Sequence, residues 1–278
     1  MRLSASRIDK WMTCPLQAHF HYDMKLPRRQ SAKATFGTII HHCLDKYHKG
    51  YGLDEILPIF QELWAEPEKL NPSLAPDYWP KYTTYNSLKS KGIDILRDYH
   101  NKSVWENRRS IASEHRFLVP FGDHELNGVV DFIEIKKSGN GRKALRIIDL
   151  KTASRAPSRP TLRLNVQFSV YMYASEQPEF FLGNGPGFPA LPNGERLWEE
   201  CEKMQRKAIW HHLMTNKEID AGPRDDGDYM RLYRVCTEIA RATELKVHVP
   251  KIGDGCVWCD YTDPCGIEIP TEEELEVF

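Results

Sequence analysis

The 278-residue sequence predicts an α/β protein with a small central mixed sheet flanked by helices, and three observations carry that reading. Helical periodicity dominates the first hundred residues. Three strand-like runs, separated by short turns, follow between Ser113 and Ala153. Helical segments then lead to a cysteine-rich end. Helices, a meander of strands, then more helices is not the alternation of a doubly wound fold.

Ser4 and Ser6 are candidate N-caps for a helix over Arg7 to Tyr22, interrupted near Pro15. A second helix is expected from Phe36 to His48, with Ile39, Ile40, Cys43, Leu44 and Tyr47 on its apolar side. Glu55–Trp64 and Tyr85–Tyr99 add helical periodicity, and the proline-rich stretch from Asn71 to Pro80 reads as a loop between them. EHRFLVPF, LNGVVDFIEI and ALRIIDLKTA read as successive strands joined by turns at GDHE and KKSGNGRK. The pairs Val129–Val130 and Ile147–Ile148 give the last two the continuous apolar runs of buried central strands. Leu164 to Glu176 is helical, residues 183–194 form a surface loop or boundary, and further helices are expected over Glu195–Met214 and Asp228–Thr243.

With 41% hydrophobic and 28% charged residues, the composition is that of an ordinary globular protein. No stretch approaches the roughly 18 apolar residues of a membrane span, so no membrane partner is expected. The opening MRLSASRIDKW lacks the apolar core of a secretory signal, which makes a cytoplasmic address the expectation. The absence of a GxxxxGK[ST] sequence argues against an ATP-driven motor. A net charge of −1 rules out a global basic field as the argument for a nucleic-acid partner. Basic residues are nevertheless concentrated in the first fifty positions (Arg2, Arg7, Lys10, Lys25, Arg28, Arg29, Lys33) and again between Lys136 and Arg163, while Asp254 to Glu276 is acidic. Such runs are usually solvated faces; here they flank the carboxylates described next, which favours phosphate contact.

Asp131 lies within one expected strand, and Asp149 and Lys151 on the next, two residues apart and so on one face. If those strands pair, two carboxylates and an ammonium meet at one spot, a donor set suited to Mg²⁺ or Mn²⁺. A salt bridge between strands is the plainer account of a D-x-K. Both aspartates interrupt apolar strands, however, where an unpartnered charge is costly, so solubility does not explain them.

Seven cysteines, an odd number with three near the C-terminus, do not suggest a disulfide scaffold. Cys256, Cys259 and Cys265 form C-x2-C-x5-C, a spacing suited to one metal centre. Cys43, Cys201 and Cys236 fall in helical patterns and read as small buried hydrophobes. Thiolates alone do not separate zinc from an iron–sulfur cluster.

GVVDFIEI followed by IIDLKTA resembles motifs II and III of the PD-(D/E)xK nucleases, in the RecB-like branch that includes the nuclease domains of RecB and AddB and the CRISPR-associated exonucleases. Three further segments are similar in order and spacing: GTIIH (residues 37–41) to the G-x-x-x-H motif, QFSVY (167–171) to the Q-x-x-x-Y motif, and LSASRIDKWMTCP to the opening segment that supplies a cluster cysteine. The resemblance implies a restriction-endonuclease-like core spanning residues 1–278 as a single domain. Residues 1–35 and 245–278 would form the cluster region, 36–180 the catalytic core and 181–244 a helical insertion or extension. His41 would bind metal through its imidazole, with His42 facing another side of the helix. Asp131 and Asp149 would be acidic ligands, the Leu150 carbonyl a main-chain ligand and Lys151 the catalytic lysine. Gln167 and Tyr171, one helical turn apart, would hold the lysine or a DNA phosphate. Glu114, on the preceding strand, is a further acid near the site but is not counted among the ligands. Cys14 would join Cys256, Cys259 and Cys265 around a [4Fe–4S] cluster.

The implied function is hydrolysis of DNA phosphodiester bonds with Mg²⁺ or Mn²⁺, as an exonuclease on single-stranded or end-containing DNA, with endonuclease action as an addition. Repair, recombination or CRISPR-type adaptation would supply the protein partners. The alternative is a nuclease-like DNA-binding scaffold acting through a partner complex; an intact His41, Asp131, Asp149 and Lys151 favours the enzyme.

Overall fold

The computed structural model describes residues 1–108, 110–137, 141–201 and 204–267; the tip of the turn at 138–140 and the acidic tail beyond 267 lie outside that range. In chain order the elements are β1 (Arg2–Ser4), α1 (Ala5–Thr13), α2 (Pro15–Ala18), a π-helical turn (His19–Asp23), α3 (Ala32–His48), α4 (Leu53–Ala65), α5 (Tyr85–Trp105), β2 (Ser110–Phe121), β3 (His124–Lys137) and β4 (Lys143–Lys151). After them come α6 (Arg159–Arg163), α7 (Val166–Ala174), α8 (Pro178–Leu182), α9 (Gly194–Cys201), β5 (Gln205–His212), β6 (Lys217–Asp220), α10 (Asp226–Glu244), a 3₁₀ turn (Asp254–Trp258) and α11 (Thr262–Cys265).

The long strand β3 organises a six-stranded mixed sheet. β2 runs antiparallel along one of its edges, from Phe121↔His124 to Ser110↔Glu134. Two strands share the other edge. β1 pairs parallel with residues 125–127, and β4 pairs antiparallel from Phe132↔Ile148 to Lys137↔Lys143. Between those two ladders no strand of the described residues lies beside the edge of β3, and Asp131 sits at the point where β4 departs. β4 continues to Lys151 with β5 as its parallel partner, and β6 closes that side antiparallel to β5. The sheet therefore forks at Asp131 and Asp149, and a fork exposes the backbone and side chains that a closed ladder would cover.

Each face of the sheet is covered. One apolar cluster joins Leu3, Ile8, Phe117, Ile147, Phe168 and Leu232, so it lies between the sheet and α1, α7 and α10. The other joins Ile40, Phe60, Leu96, Phe132, Ile148 and Leu150, beneath α3, α4 and α5. Along β3, Val130 belongs to the first cluster and Phe132 to the second, so the face presented to each layer changes across Asp131.

The hairpins, α3, α4, α5, α7 and α10 agree with the sequence reading, and Ser4 is the N-cap of α1, accepting a hydrogen bond from the Arg7 N–H at 3.2 Å. Two expectations fail. Residues 2–4 form a strand that the capping signal at Ser4 concealed. The helix expected over Glu195–Met214 is found only as α9, and residues 205–212 and 217–220, inside the segment assigned to a helical insertion or extension, instead supply β5 and β6. Ala208, Ile209, His211 and His212 are buried beside β4. A short apolar run does not distinguish helix from strand by period, and the free edge of β4 decides in favour of strand.

Candidate active site

Glycine at position 37 lets α3 approach the end of β4: a Cβ there would stand 3.1 Å from Thr152 Oγ1. That approach carries His41, one turn further along α3, to β3. His41 Nδ1 lies 3.3 Å from Asp131 Oδ1, and the other carboxylate oxygen, Oδ2, accepts the Leu150 N–H at 2.7 Å. Asp131 thus sits in the fork and ties β4 back to β3 where the ladder ends.

Glu114 completes the group. It lies between the partners Ser113↔Phe132 and His115↔Val130, hence opposite Asp131. Its backbone φ is +48°, a left-handed conformation that is uncommon for a residue with a side chain and tends to persist where function needs it. The ligand atoms of His41, Glu114 and Asp131 all fall within 4.8 Å of one another. They line a cleft of about 510 Å³ with Asp45 and, from the segment after α4, Asn71. His42 also lines this cleft, but its ring is not part of the converging group. Glu114 was the residue undervalued in the sequence. Folding the hairpin about Gly122–Asp123 would have placed it opposite Asp131.

Asp149 is 1% exposed, and among the described residues neither of its oxygens receives a well-formed hydrogen bond. The Lys151 ammonium stands 2.9 Å away as its ion-pair partner, with the Trp210 ring 6.0 Å from the nitrogen. Burial drives the Asp149 pKa up to about 6 in spite of Lys151. Glu114 is pushed to about 7 by burial and by the adjacent Asp131 charge. Burial disfavours the His41 cation, but the charge and hydrogen bond of Asp131 outweigh it and raise His41 to about 9. Lys151 is likewise desolvated, yet Asp149 and Asp131 hold it above its ordinary value. Three carboxylates thus share two cationic groups in a low-dielectric cleft, a surplus of negative charge that a divalent cation would neutralise.

A profile of the PD-(D/E)XK nuclease superfamily matches residues 2–266, nearly the whole chain. The chain belongs to the PD-(D/E)XK nuclease superfamily. Its members are metal-dependent nucleases that use divalent ions such as Mg²⁺ or Mn²⁺ and bind DNA. No curated protein matches this PD-(D/E)XK chain in sequence. Among solved structures it is similar to one described as the crystal structure of SSO0001, at 11% identity and a TM-score of 0.39, over 96% of this chain and 87% of that one. So distant a likeness carries no argument about function.

In this PD-(D/E)XK protein Gln167 and Tyr171 bond each other, and Tyr171 bonds β3. The Tyr171 hydroxyl donates to the Val129 carbonyl at 2.5 Å and accepts from Gln167 Nε2 at 2.7 Å. They anchor β3 two residues before Asp131. Next to Val129, Gly128 leaves room for the Phe117 ring, which a Cβ there would strike at 2.7 Å.

The four cysteines singled out by motif meet in a second place. Cys14 stands between α1 and α2; Cys256 lies in the 3₁₀ turn, Cys259 just after it, and Cys265 ends α11. All four line a cavity of about 380 Å³ together with Phe20 and Ile252. Gln17 Nε2 donates to Cys259 Sγ and the Lys251 N–H to Cys14 Sγ, each at 3.4 Å. Burial and the three neighbouring thiols push the Cys265 pKa upward. The cysteine loop is docked by Tyr261, 2% exposed, whose hydroxyl meets His21 Nδ1 at 2.8 Å. Cys43, Cys201 and Cys236 are buried elsewhere, as expected. Among the described residues, the groups converging within 4.8 Å are the His41 group and His19–Asp23–His248; the cysteines are more widely spaced. No described helix is long and apolar enough to cross a membrane.

Proposed function

We propose that this chain is a Mg²⁺- or Mn²⁺-dependent deoxyribonuclease of the RecB-like branch, acting as an exonuclease on end-containing DNA in repair, recombination or CRISPR-type adaptation. The observation that carries the reading is the convergence of His41, Glu114 and Asp131 beside an under-compensated buried Asp149. His41, Asp131, Asp149 and the Leu150 carbonyl would hold the ion, with Glu114 added to that set. The donor chemistry fits: mostly carboxylate oxygens, with one imidazole that admits Mn²⁺ as readily as Mg²⁺. A bound ion would polarise the scissile phosphodiester and acidify the attacking water. Lys151, held protonated by Asp149 and Asp131, would donate hydrogen bonds to the attacking water or to the charge developing on phosphorus. Gln167 and Tyr171 would act through β3, keeping Asp131 in register.

In the cysteine cavity we infer a [4Fe–4S] cluster, a reading supported by the resemblance of Cys14 with C-x2-C-x5-C to a cluster-binding set. Sulfurs around one tetrahedral zinc, about 2.3 Å from the metal, would stand roughly 3.8 Å apart, closer than these four do. The cluster would join residues 1–35 to residues 245–278 and hold the ends of the chain together.

The test is digestion of end-labelled linear DNA and of circular DNA with Mg²⁺ or Mn²⁺. Metal-dependent loss of linear DNA, with circular DNA spared, is the expected result. No cleavage with either metal overturns the enzymatic reading, and equal cleavage of circles overturns the exonuclease assignment. For the cluster, anaerobically purified protein should be brown and carry iron; zinc in its place removes the cluster and leaves the cross-link.

A further inference from the structure

The segment that leads from the cleft to α5 carries aromatic side chains that the core does not use. Tyr78, Trp79, Tyr82 and Tyr85 are 37%, 42%, 93% and 38% exposed within eight residues. Apolar rings are normally the first groups that folding removes from water, so four in one short stretch call for a reason. They are also fixed in place. The Asp77 N–H donates to the Gln30 carbonyl at 2.8 Å, the Ala32 N–H donates to the Tyr78 carbonyl at 3.0 Å, and Ser31 and Tyr78 form a parallel β-bridge. The Trp79 and Tyr85 rings lean on Trp64 at centroid distances of 6.0 and 5.6 Å. Tyr82 is held outward by a turn in which its own backbone adopts φ +62°. A side chain at once solvent-exposed and on a left-handed backbone is not accounted for by packing.

Cations accompany the rings. The Arg29 guanidinium lies 4.6 Å from the Tyr78 ring centre and the Lys81 ammonium 5.5 Å from that of Tyr82. Arg28 and Lys33 are exposed on the adjoining chain. The ledge is continuous with the cleft. Leu70, Asn71 and Leu74, from the same segment, line the cleft, and the Leu74 carbonyl is tied to α3 by Thr35 Oγ1 at 2.7 Å. Lys33, Gly37 and His41 follow at four-residue intervals along one face of α3, so the ledge lies roughly 12 Å of helix from His41.

We propose that residues 78–85 form a stacking platform for unpaired bases, over which a single DNA strand runs before it follows α3 to the His41–Asp131 cleft. The inference deepens the deoxyribonuclease reading and rests on it for the identity of the strand. Rings offer a face that any base can stack on, while the neighbouring cations meet the phosphates, giving binding without sequence preference. Duplex DNA hides its base faces and would gain only the phosphate contacts. A chain with net charge −1 has little long-range attraction for DNA, so a local platform of this kind has more to supply.

The test measures binding of fluorescent oligodeoxythymidine, and of a blunt duplex, to the full-length protein without divalent metal, so that no cleavage occurs. Tyr82→Ala should weaken single-strand binding about 5-fold or more, while Tyr82→Phe, which keeps the ring, should restore it. Duplex binding should change less than 2-fold. Trp105→Ala, at an equally exposed aromatic outside the ledge (86%), should leave single-strand binding as it is. Unchanged single-strand binding in Tyr82→Ala, or an equal loss in Trp105→Ala, overturns the platform. Cleavage by the wild-type protein with Mn²⁺ is scored separately. A protein that cleaves but binds strands independently of Tyr82 loses only the platform, and one that never cleaves loses the enzymatic reading whatever Tyr82 does.

Discussion

Two clusters of buried charge sit on the same sheet and are built to opposite rules. In one, Glu134 of β3 and Glu218 of β6 are bridged by Arg146 of β4 and by Arg108, which follows α5; Arg146 reaches Glu218 at 2.5 Å and also bonds Glu134, and Arg108 bonds Glu218 as well. With Glu106, which pairs with Arg108 and Lys136, three carboxylates face two guanidiniums and one ammonium. Although burial opposes it, the arginines pull the Glu218 pKa down to about 2, while at the more deeply buried Glu134 burial outweighs them and the pKa stays raised. In the other cluster, Glu114, Asp131 and Asp149 share only His41 and Lys151. Burial prevails at two of the three, where Glu114 and Asp149 rise to about 7 and about 6, while His41, Lys151 and the Leu150 N–H hold Asp131 below its ordinary value against burial. The first cluster is electrostatically complete and joins strands. The second is left short of positive charge, and that deficit is what a metal site requires. Burial and charge alone do not separate structure from function; the balance of donors does.

The comparison can be broken most sharply at Arg146. Arg146→Met strands Glu134 and Glu218 in the interior and should destabilise the fold by about 3–5 kcal/mol, read from chemical denaturation. A loss below 1 kcal/mol would mean that the network is not a structural unit. At the other cluster, Lys151→Ala and Asp131→Asn should each lower cleavage by roughly 10²–10³-fold, about 2.7–4 kcal/mol in the transition state. Binding of DNA should persist, because affinity comes mainly from phosphate contacts. Wild-type cleavage by either variant would remove the catalytic assignment.

A smaller effect has the opposite sign. The raised pKa of Asp149 means that its ionised form is less favourable in the fold than in the unfolded chain. That penalty is fully present above about pH 6 and absent below about 3.8. Asp149→Asn should therefore stabilise the metal-free protein at pH 8 by on the order of 1–2 kcal/mol while abolishing cleavage. A lower melting temperature than wild type would show that the site is not under-compensated. The weakest test is the acid limb. Glu218 is depressed from 4.5 to about 2, so its contribution is complete above about pH 4.5 and is lost as the pH falls toward 2. Glu218→Gln should be less stable at neutral pH and should have a shallower acid limb over that window. A parallel acid limb would place the lost protons elsewhere.

The residues proposed for the chemistry could be named from the sequence because strand periodicity is local. Asp149 and Lys151 share a face by a two-residue period, and the apolar runs around them announce burial. GTIIH set His41 on a helix, and the cysteine spacing marked a metal-type site. The hairpins and the long helices were equally plain, since turn residues and 3.6-residue spacing need no distant partner. What only the tertiary structure decided is where strands find their neighbours. Arg2–Ser4 is too short to carry a period, and Gln205–His212 reads as helix until the open edge of β4 is seen beside it. The first placement makes the fork, since β1 and β4 share one edge of β3 with Asp131 between them, and the second gives β4 a partner as it continues past β3 to Lys151. Glu114 reaches the site from β2 on the opposite edge of β3, and the Tyr171 hydroxyl bonds the Val129 carbonyl. Hydrogen bonding across a sheet joins residues that lie far apart in sequence, so local propensity could name the side chains but not the gap in which they meet.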